Sequence, residues 1–346
     1  MFQNEVKEIR RLLDKEGNIS EAGFAKKLNW EYNRADITAR PCRIKEWDYY
    51  YIGNDECALC LTMADMGYIG ALSATVMDFT EPSQITKSAV CFFPMGSFRM
   101  PYTSIAGDCS RKIGKVEMTF INDGFTRRLY GKYPKFGNAG ETLSFNVTLT
   151  DFPEESMVIA TPFAKKGYFY YNQKINCMTA DGGFSLGDKE YSLAKEKKTL
   201  ATLDWGRGVW TYDNTWYWGS LQTVLPDGKK FGFNIGYGFG CNDQATENML
   251  FYEGKSHKLD EVTFHIPQKD GKDDFMSPWV FTSSDGRFEM QFEPLIDRYA
   301  PFDLKLFAMI PHQVFGYFTG KAVLDDGQTI ELTRTLGFAE KVRNKW

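Results

Sequence analysis

Apolar and polar residues alternate through most of the chain. Apolar side chains occupy every second position, with polar residues between them, most clearly at 142–149, 262–266, 288–292 and 330–332. A period of two places successive side chains on opposite faces of a β strand, so this pattern predicts strands that are buried on one face. After Pro41 the chain is therefore predicted to be mostly β structure.

Four Asp-Gly steps lie between the alternating segments, at 123–124, 227–228, 285–286 and 326–327. Such steps supply the positive φ that a primed hairpin turn requires. They predict hairpins that join 115–121 to 125–132, 279–283 to 287–292, and 316–324 to 329–335. Consecutive antiparallel strands are typical of meanders and up-and-down barrels, whereas a Rossmann or TIM-barrel core would need strands that alternate with helices.

Two features depart from the strand pattern. The N-terminal segment has apolar residues at helical spacing, at Val6, Ile9, Leu12 and Leu13, and Gly17 lies where a C-terminal cap is expected. A charged stretch at 189–198 separates two hairpin-rich halves. We therefore expect an all-β protein with two antiparallel β-barrels or curled sheets and a short N-terminal helix. The predicted domains are residues 1–198 and 199–346, and the second contains the Asp- and Trp-rich motif.

Composition agrees with this fold class and excludes some functions. Aromatic residues make up 16% of the 346 residues and are accompanied by 31 glycines, a balance that favours strands. The 41 Lys and Arg against 45 Asp and Glu leave a net charge of -4, without the basic excess that nucleic-acid binding requires. The composition therefore argues against a nucleic-acid partner.

The sequence also predicts a cytoplasmic protein. No apolar run approaches the roughly 18 residues that span a bilayer, so no transmembrane segment is expected. The charged start of the chain does not resemble a signal peptide. Seven cysteines, an odd number scattered along a long chain, fit reduced thiols better than a disulfide framework.

The richest candidate site is segment 203–219, which holds four of the eight tryptophans. Its rings could wall a pocket, Arg207 could fix a carboxylate, and Asp204 or Asp213 could transfer a proton. The alternative is a tryptophan-rich core in which Asp204 and Arg207 form a buried structural pair. The candidate substrate-binding residues of this segment are Trp205, Arg207, Trp210, Tyr212, Asp213, Trp216 and Trp218.

Further candidates lie later in the chain. Glu247 is a second carboxylate that could complete an acid–base pair with Asp204, or else lies in a solvated loop. Asn234, in the glycine-rich run 232–240, is a candidate substrate contact, although that run also fits a strand bent inside a barrel. His312 could donate a proton at a barrel mouth, or be a structural histidine. Glu340 either turns inward on a docked last strand or lies in a solvated tail.

The predicted catalytic groups are thus Asp204, Glu247 and His312, and no cofactor is expected. The three histidines lack the HExxH spacing and the nearby ligands of a zinc site, so no metal is predicted. The lone Cys57-x-x-Cys60 motif is expected to be structural. Neither a P-loop nor a serine-hydrolase elbow occurs in the sequence.

Several strings of residues together carry a family resemblance. They are Lys-Glu-Trp-Asp-Tyr-Tyr (45–50), Leu-Asp-Trp-Gly-Arg-Gly-Val-Trp (203–210), Trp-Tyr-Trp-Gly-Ser (216–220), Thr-Glu-Asn (246–248), His-Gln-Val-Phe-Gly (312–316) and Gly-Phe-Ala-Glu-Lys-Val-Arg-Asn-Lys-Trp (337–346). From about Trp30 to Trp346 the chain resembles a bacterial family known as domain of unknown function 2804. More distantly it resembles the two-domain lipocalin-like group of carotenoid hydratases and related cyclases. That resemblance implies two lipocalin-like β domains and carboxylate-driven proton transfer to an apolar substrate.

Three functions fit these observations. The first is a cofactor-independent enzyme of hydratase, cyclase or isomerase type, acting on an apolar or partly apolar small molecule. The second is a glycoside hydrolase, which needs two carboxylates roughly 5–9.5 Å apart across a cleft. The third is a noncatalytic carrier of a lipid or pigment, in which Asp204 and Arg207 would neutralise each other away from the ligand.

Overall fold

The fold is known from a computed structural model that describes residues 3–303 and 308–345. Trp346, the last residue of the family-like tail, lies outside the described residues. The described chain forms β strands and three single-turn 3₁₀ helices, Arg34–Asp36, Pro41–Arg43 and Lys195–Lys197.

The strands of the N-terminal part are β1 (Arg10–Arg11), β2 (Gly23–Ala25), β3 (Trp30–Glu31), β4 (Ile44–Gly53), β5 (Cys57–Asp65), β6 (Ile69–Asp78), β7 (Ser83–Phe92), β8 (Cys109–Ile113), β9 (Val116–Asn122), β10 (Arg127–Tyr133), β11 (Leu143–Thr150), β12 (Met157–Pro162), β13 (Phe169–Leu186), β14 (Lys189–Ser192) and β15 (Leu200–Val209). Those of the C-terminal part are β16 (Asp213–Val224), β17 (Lys230–Tyr237), β18 (Met249–Tyr252), β19 (Lys255–Lys258), β20 (Val262–His265), β21 (Gln268–Lys269), β22 (Lys272–Asp273), β23 (Trp279–Ser283), β24 (Phe288–Tyr299), β25 (Phe302–Asp303), β26 (Ala308–Val323) and β27 (Thr329–Lys345).

Two antiparallel sheets contain most of these strands. The first has the order β7-β6-β5-β4-β15-β13-β11-β10-β9-β8, with β2, β12 and β14 attached beside it, and it curls into a nearly closed barrel. The second has the order β19-β18-β17-β16-β27-β26-β24-β23-β20 and forms a half-barrel, with β25 paired to β26. The all-β prediction of two barrels or curled sheets is therefore confirmed.

Each sheet buries its own apolar core, and a third core joins the two sheets. The first barrel encloses residues such as Leu59, Met118, Phe169 and Trp205, and the second encloses Phe231, Phe233, Trp279 and Phe281. Between the sheets, aromatic residues of β4 pack on aromatic residues of β16, β26 and β27, namely Tyr49, Tyr51, Trp218, Phe315 and Phe338. Because β4 and β15 are buried on both faces, their outward side chains can form a site between the sheets.

The predicted hairpins are confirmed, but three of the four Asp-Gly turns are of another type. Strands β9 and β10, β23 and β24, and β26 and β27 pair as expected. In three Asp-Gly turns only the glycine has a positive φ, and its N–H donates to the carbonyl three residues earlier, as Gly327 does to Leu324 at 3.1 Å. This is the geometry of a type I turn followed by a left-handed glycine, so the prediction of primed turns was wrong at these three steps. At 123–124 the N–H of Asp123 donates to the carbonyl of Thr126 across Gly124 and Phe125, and the positive φ of Gly124 fits a primed type II′ turn.

The predicted N-terminal helix is also wrong. The segment is extended and pairs with distant chain, since the N–H of Val6 donates to the carbonyl of Phe24 and that of Leu12 to the carbonyl of Glu31. Leu12 and Leu13 are both buried in the first core, whereas Ile9 is 71% exposed, so burial does not follow one helical face. Tertiary hydrogen bonds replaced the helical ones that the spacing suggested.

The chain passes from the first sheet to the second between Val209 and Asp213. Residues 200–209, which the sequence assigned to the C-terminal domain, lie inside the first sheet because β15 pairs with β4 on one side and with β13 on the other. The division into domains 1–198 and 199–346 stays a prediction, and the sheets themselves change at residues 210–212.

Two further expectations concern the cysteines and the membrane. All seven cysteines are free thiols. Within residues 3–303 and 308–345, no helix is long and apolar enough to span a bilayer.

The fit between β4 and β15 is a first testable feature. A Cβ atom built on Gly206 would lie 1.9 Å from a ring carbon of Trp47, its partner across the two strands. We expect Gly206→Ala to lower the free energy of unfolding by about 1–3 kcal/mol, because the indole must move. In a Trp47→Ala background the same change should cost much less. Chemical denaturation of wild type, the two single variants and the double variant measures this coupling. If the losses in free energy of unfolding simply add in the double variant, the coupling is contradicted.

Candidate active site

The candidate site lies between the two sheets. On each strand, every second side chain points towards it. On β15, Asp204, Gly206 and Gly208 point towards the second sheet, whereas Trp205 and Arg207 point into the first barrel. The alternation of side chains along a strand therefore separates Asp204 from Arg207. The predicted Asp204–Arg207 pair does not form, and the carrier hypothesis loses the contact on which it rested.

Asp204 pairs with a buried lysine on the neighbouring strand. Lys174 of β13 lies directly opposite Asp204, and its Nζ is 2.9 Å from Oδ2 of the carboxylate. The side-chain amide of Asn172 donates to Oδ1 at 2.6 Å. The Lys174 ammonium also lies 3.9 Å from the ring centroid of Trp218 on the second sheet, a cation–π contact that ties the two sheets together.

Glu340 faces this pair from the last strand of the second sheet. It lies opposite Trp218 on β16 and opposite Gln313 on β26. Its two carboxylate oxygens accept hydrogen bonds from the Trp216 indole and from the Gln313 amide, both at 2.9 Å. The tail is therefore a docked strand with Glu340 turned inward.

Glu247 is also buried between the sheets, on the connection that follows β17. The indole of Trp218 donates to the Asn234 side chain at 2.7 Å, and the Asn234 amide donates to the backbone carbonyl of Glu247 at 2.8 Å. A Cβ on Gly236 would lie 3.0 Å from the Glu247 carboxylate, so the glycine makes room for it. Asn234 thus positions the loop that carries Glu247.

Burial favours the protonated forms of two of the three carboxylic acids. It raises the pKa of Glu340 to about 7, against the opposing effects of the Trp216 hydrogen bond and of the Lys174 and Arg298 charges. It also raises the pKa of Glu247, with a smaller opposing effect of Lys174 and a further rise from the Asp204 charge. At neutral pH the site can therefore hold a transferable proton on Glu340.

An aromatic wall adjoins the acidic groups. The rings of Trp47 and Trp210 lie 5.3 Å apart, and Phe239 lies 4.9 Å from Trp210 and 5.2 Å from Trp216. Tyr170 completes the wall at 4.8 Å from Phe239. Trp47 and Trp216 are only half-buried, and the Asp204 side chain is 11% exposed, so solvent reaches the margin of this cluster.

Arg207 and Trp205 belong instead to the first barrel. The Arg207 guanidinium donates to Asp48 and to the backbone carbonyls of Trp47 and Pro101, and it stacks on the Trp205 ring at 4.1 Å. Burial raises the pKa of Asp48, and the Arg207 charge opposes that rise. Arg207 and Trp205 are almost fully buried, so the prediction that they bind substrate beside Asp204 is not supported by their position.

Three other predicted residues lie apart from the cluster. Tyr212 is 47% exposed on the connection between the sheets. Asp213 is at the surface, where it pairs with Arg343 at 2.8 Å. His312 lies on the inner face of the second sheet, opposite to the face that carries Gln313, and pairs there with Asp297. Asp204, Glu247, Trp210, Trp216, Trp218 and Asn234 are the predicted residues that the fold does bring together.

Lys174, Gln313 and the role of Trp47 were not predicted from the sequence. Lys174 lies in the aromatic run Phe169–Ile175, where a single lysine on the same face as Tyr170 was a detectable signal. Gln313 and Trp47 lie in two of the strings that carry the family resemblance, but only the strand pairing shows which groups they contact. Within the described chain no three His, Cys, Asp or Glu side chains are grouped so that they could hold a metal ion.

Comparison with solved structures identifies the fold. Kievitone hydratase from Nectria haematococca superposes with a TM-score of 0.52 over 97% of this chain and 98% of its own, at 10% sequence identity. The protein CghA matches with a TM-score of 0.50 over 99% and 97% of the two chains, at 11% identity, and its complex with Sch210972 matches with 0.50 over 88% and 89%, at 10% identity. At such identities the likeness establishes the architecture alone.

No curated protein matches the chain in sequence. A family model for a domain of unknown function (DUF2804) matches residues 3–346.

The buried state of Glu340 predicts how stability depends on pH. Its pKa rises from 4.5 to about 7 on folding, so the folded protein holds this proton more tightly than the unfolded chain. The stabilisation that this proton gives to the folded state is fully present below pH 4.5. It amounts to roughly 3 kcal/mol and is lost as the pH rises through 7. Glu340→Gln carries no titrating group, so wild type should lose stability relative to this variant between pH 4.5 and 8.

Denaturation at several pH values measures that difference. Glu331→Gln, an exposed change on the same strand, is the matched control and should follow wild type at every pH. If the free energies of unfolding of wild type and Glu340→Gln differ by the same amount at every pH, Glu340 does not titrate between pH 4.5 and 8.

Proposed function

The chain belongs to the DUF2804 family, whose description names no reaction, and from its site we propose that it is a cofactor-independent acid–base enzyme. Its substrate is an apolar or partly apolar small molecule with a carbon–carbon double bond, and the reaction is hydration, cyclisation or isomerisation. The observation that carries this proposal is Glu340, a carboxyl group that is buried beside aromatic rings and held by the Trp216 indole, and burial raises its pKa to about 7.

Glu340 is the proposed general acid. A carboxylic acid with a pKa near the working pH combines a usable protonated fraction with the ability to release its proton, which is the condition for efficient general acid catalysis. The Trp216 and Gln313 side chains fix its orientation from two strands. Proton transfer to a double bond would leave the carboxylate of Glu340 and a carbocation.

The remaining groups suit the next steps of such a reaction. The indole faces of the aromatic wall stabilise positive charge on the substrate. Lys174 and Asn172 hold Asp204 in place. The Glu340 carboxylate left by the first step then takes a proton from the water that adds to the cation, or from a neighbouring carbon if the product is an isomer, and this restores the starting acid. Hydration adds one water overall, and no electrons are transferred.

The fold likeness supports the choice of the first substrate to test. One structural neighbour is named a kievitone hydratase, so kievitone and related alkenes are suitable probes. We expect wild-type protein to add one water to a probe of this kind in oxygen-18 water, detected by mass spectrometry. Glu340→Gln should lower the rate by about 100-fold or more, because the proton donor is lost. Glu331→Gln should react as wild type does, and full activity in Glu340→Gln would rule out this role.

The pH–rate profile offers an independent check on the same residue. Since the protonated form of Glu340 is the active one, the rate should fall as the pH rises through about 7, with its upper limb set by this group. A rate that instead rises through pH 7 would assign Glu340 the role of a base.

A further inference from the structure

Three polar side chains form a row on the face of the second sheet that meets the first sheet. Arg298 of β24 lies directly opposite Gln313 of β26, and Gln313 lies directly opposite Glu340 of β27. Directly opposed residues of antiparallel strands share a face and lie close together. Arg298 is therefore separated from Glu340, the proposed acid, by a single amide.

Hydrogen bonds link the three side chains of this row. The Arg298 guanidinium donates from Nη1 to Oε1 of Gln313 at 2.6 Å. The other end of the same amide, Nε2, donates to Oε2 of Glu340 at 2.9 Å. Gln313 is 2% exposed and Glu340 is 7% exposed, so the amide is held away from water.

The donors of this row fix which way round the Gln313 amide lies. An arginine side chain has only N–H donors, so the amide turns its oxygen towards Arg298 and its NH₂ group towards Glu340. A reversed amide would set two donors against each other at one end. When Glu340 is ionised, it would also set two acceptors against each other at the other end. Each lost hydrogen bond to a charged group costs about 1.5–3 kcal/mol.

The orientation of the amide decides where a proton on Glu340 can go. The second oxygen of Glu340 accepts a hydrogen bond from the Trp216 indole, which is also a donor only. Neither Trp216 nor the Gln313 amide can therefore accept a hydrogen bond from protonated Glu340. A reversed amide would present its oxygen and accept that bond. The acidic proton would then be held inside the protein instead of being offered to a molecule between the sheets.

The ionisable groups that face Glu340 from other elements are not part of this row. They are Lys174 and Tyr170 on β13, Asp204 on β15 and Tyr49 on β4, with Glu247 beside Asp204 on the loop after β17. The Lys174 charge lowers the pKa of Glu340 and the Asp204 charge raises it. Burial keeps both tyrosines neutral by raising their own pKa. Arg298 differs from these groups because it controls a side chain that is hydrogen-bonded to Glu340.

We infer that Arg298 is a positioning residue, which fixes the Gln313 amide as a donor and so keeps the proton of Glu340 available to the substrate. This inference rests on the proposed function, in which Glu340 is the general acid. Arg298 acts through Gln313, so most of its effect disappears when the Gln313 amide is removed.

The test measures the proton affinity of Glu340 without any substrate. In each background, the free energy of unfolding is compared with that of the matching Glu340→Gln variant over a pH range that brackets the titration. We expect Arg298→Gln to raise the proton affinity about tenfold, because the Gln313 amide can then turn and accept the acidic proton. In a Gln313→Met background the same change should raise it only about twofold, through the loss of charge alone.

Three further variants separate the orientation of the amide from charge and from folding. Arg298→Met should give the same rise as Arg298→Gln with an apolar side chain in place of the amide. Arg298→Lys keeps a cation that can only donate, and should leave the proton affinity within about twofold of wild type. Arg334→Met removes an exposed positive charge from β27 and should have no effect. The inference is overturned if neither Arg298→Gln nor Arg298→Met changes the proton affinity, or if the change is as large in the Gln313→Met background.

Kinetics with an alkene that wild type hydrates connect this effect with the proposed reaction. In Arg298→Gln we expect the rate at low pH to fall about tenfold, with KM little changed, and the upper limb of the pH–rate profile to move to higher pH. An unchanged pH–rate profile would also overturn the inference. If wild type hydrates no alkene probe, the proposed function fails, and the proton affinities alone decide whether Arg298 sets the state of Glu340.

Discussion

The properties of the site between the sheets depend on one buried ion pair, Lys174–Asp204. Two charges withdrawn from water cost several kcal/mol each, and the cost is recovered only when they meet at contact distance with their remaining hydrogen bonds satisfied. Here Asp204 receives both the ammonium and the Asn172 amide. Burial raises the pKa of Glu247 and of Glu340, the Lys174 charge opposes that rise, and the Asp204 charge adds to it. The ion pair therefore places one opposing and one supporting charge beside carboxylic acids whose pKa burial has already raised.

The alternation of side chains along β15 divides the chemistry of the protein into two networks. Arg207 completes a charged network inside the first barrel, and Asp204 faces the second sheet. In the linear sequence the two residues look like partners, since only two positions separate them. Their distance in space follows from strand geometry alone, and it accounts for Arg207 as a structural group and for Asp204 as a group of the site.

Local patterns predicted much of the fold and part of the site. Period-two alternation and the Asp-Gly steps correctly located hairpins such as β26 and β27, because turn chemistry and one-sided burial act over short distances. The helix expected near Leu12 failed since its hydrogen-bond partners lie elsewhere in the chain. Lys174 and Gln313 were missed for a related reason, because strand pairing over long separations decides which groups meet Asp204 and Glu340.

The position of β15 also has a consequence for how the protein is made. The strand is inserted between β4 and β13, and its contact from Arg207 to Asp48 spans 159 residues. During synthesis, β4 to β14 emerge before the strand that joins β4 to the rest of the barrel. The barrel thus stays open, with β4 and β13 as unpaired edges, until residue 209 has left the ribosome. Such edges pair readily with other chains. The nascent chain is therefore most in need of a chaperone during the time before β15 has been synthesised.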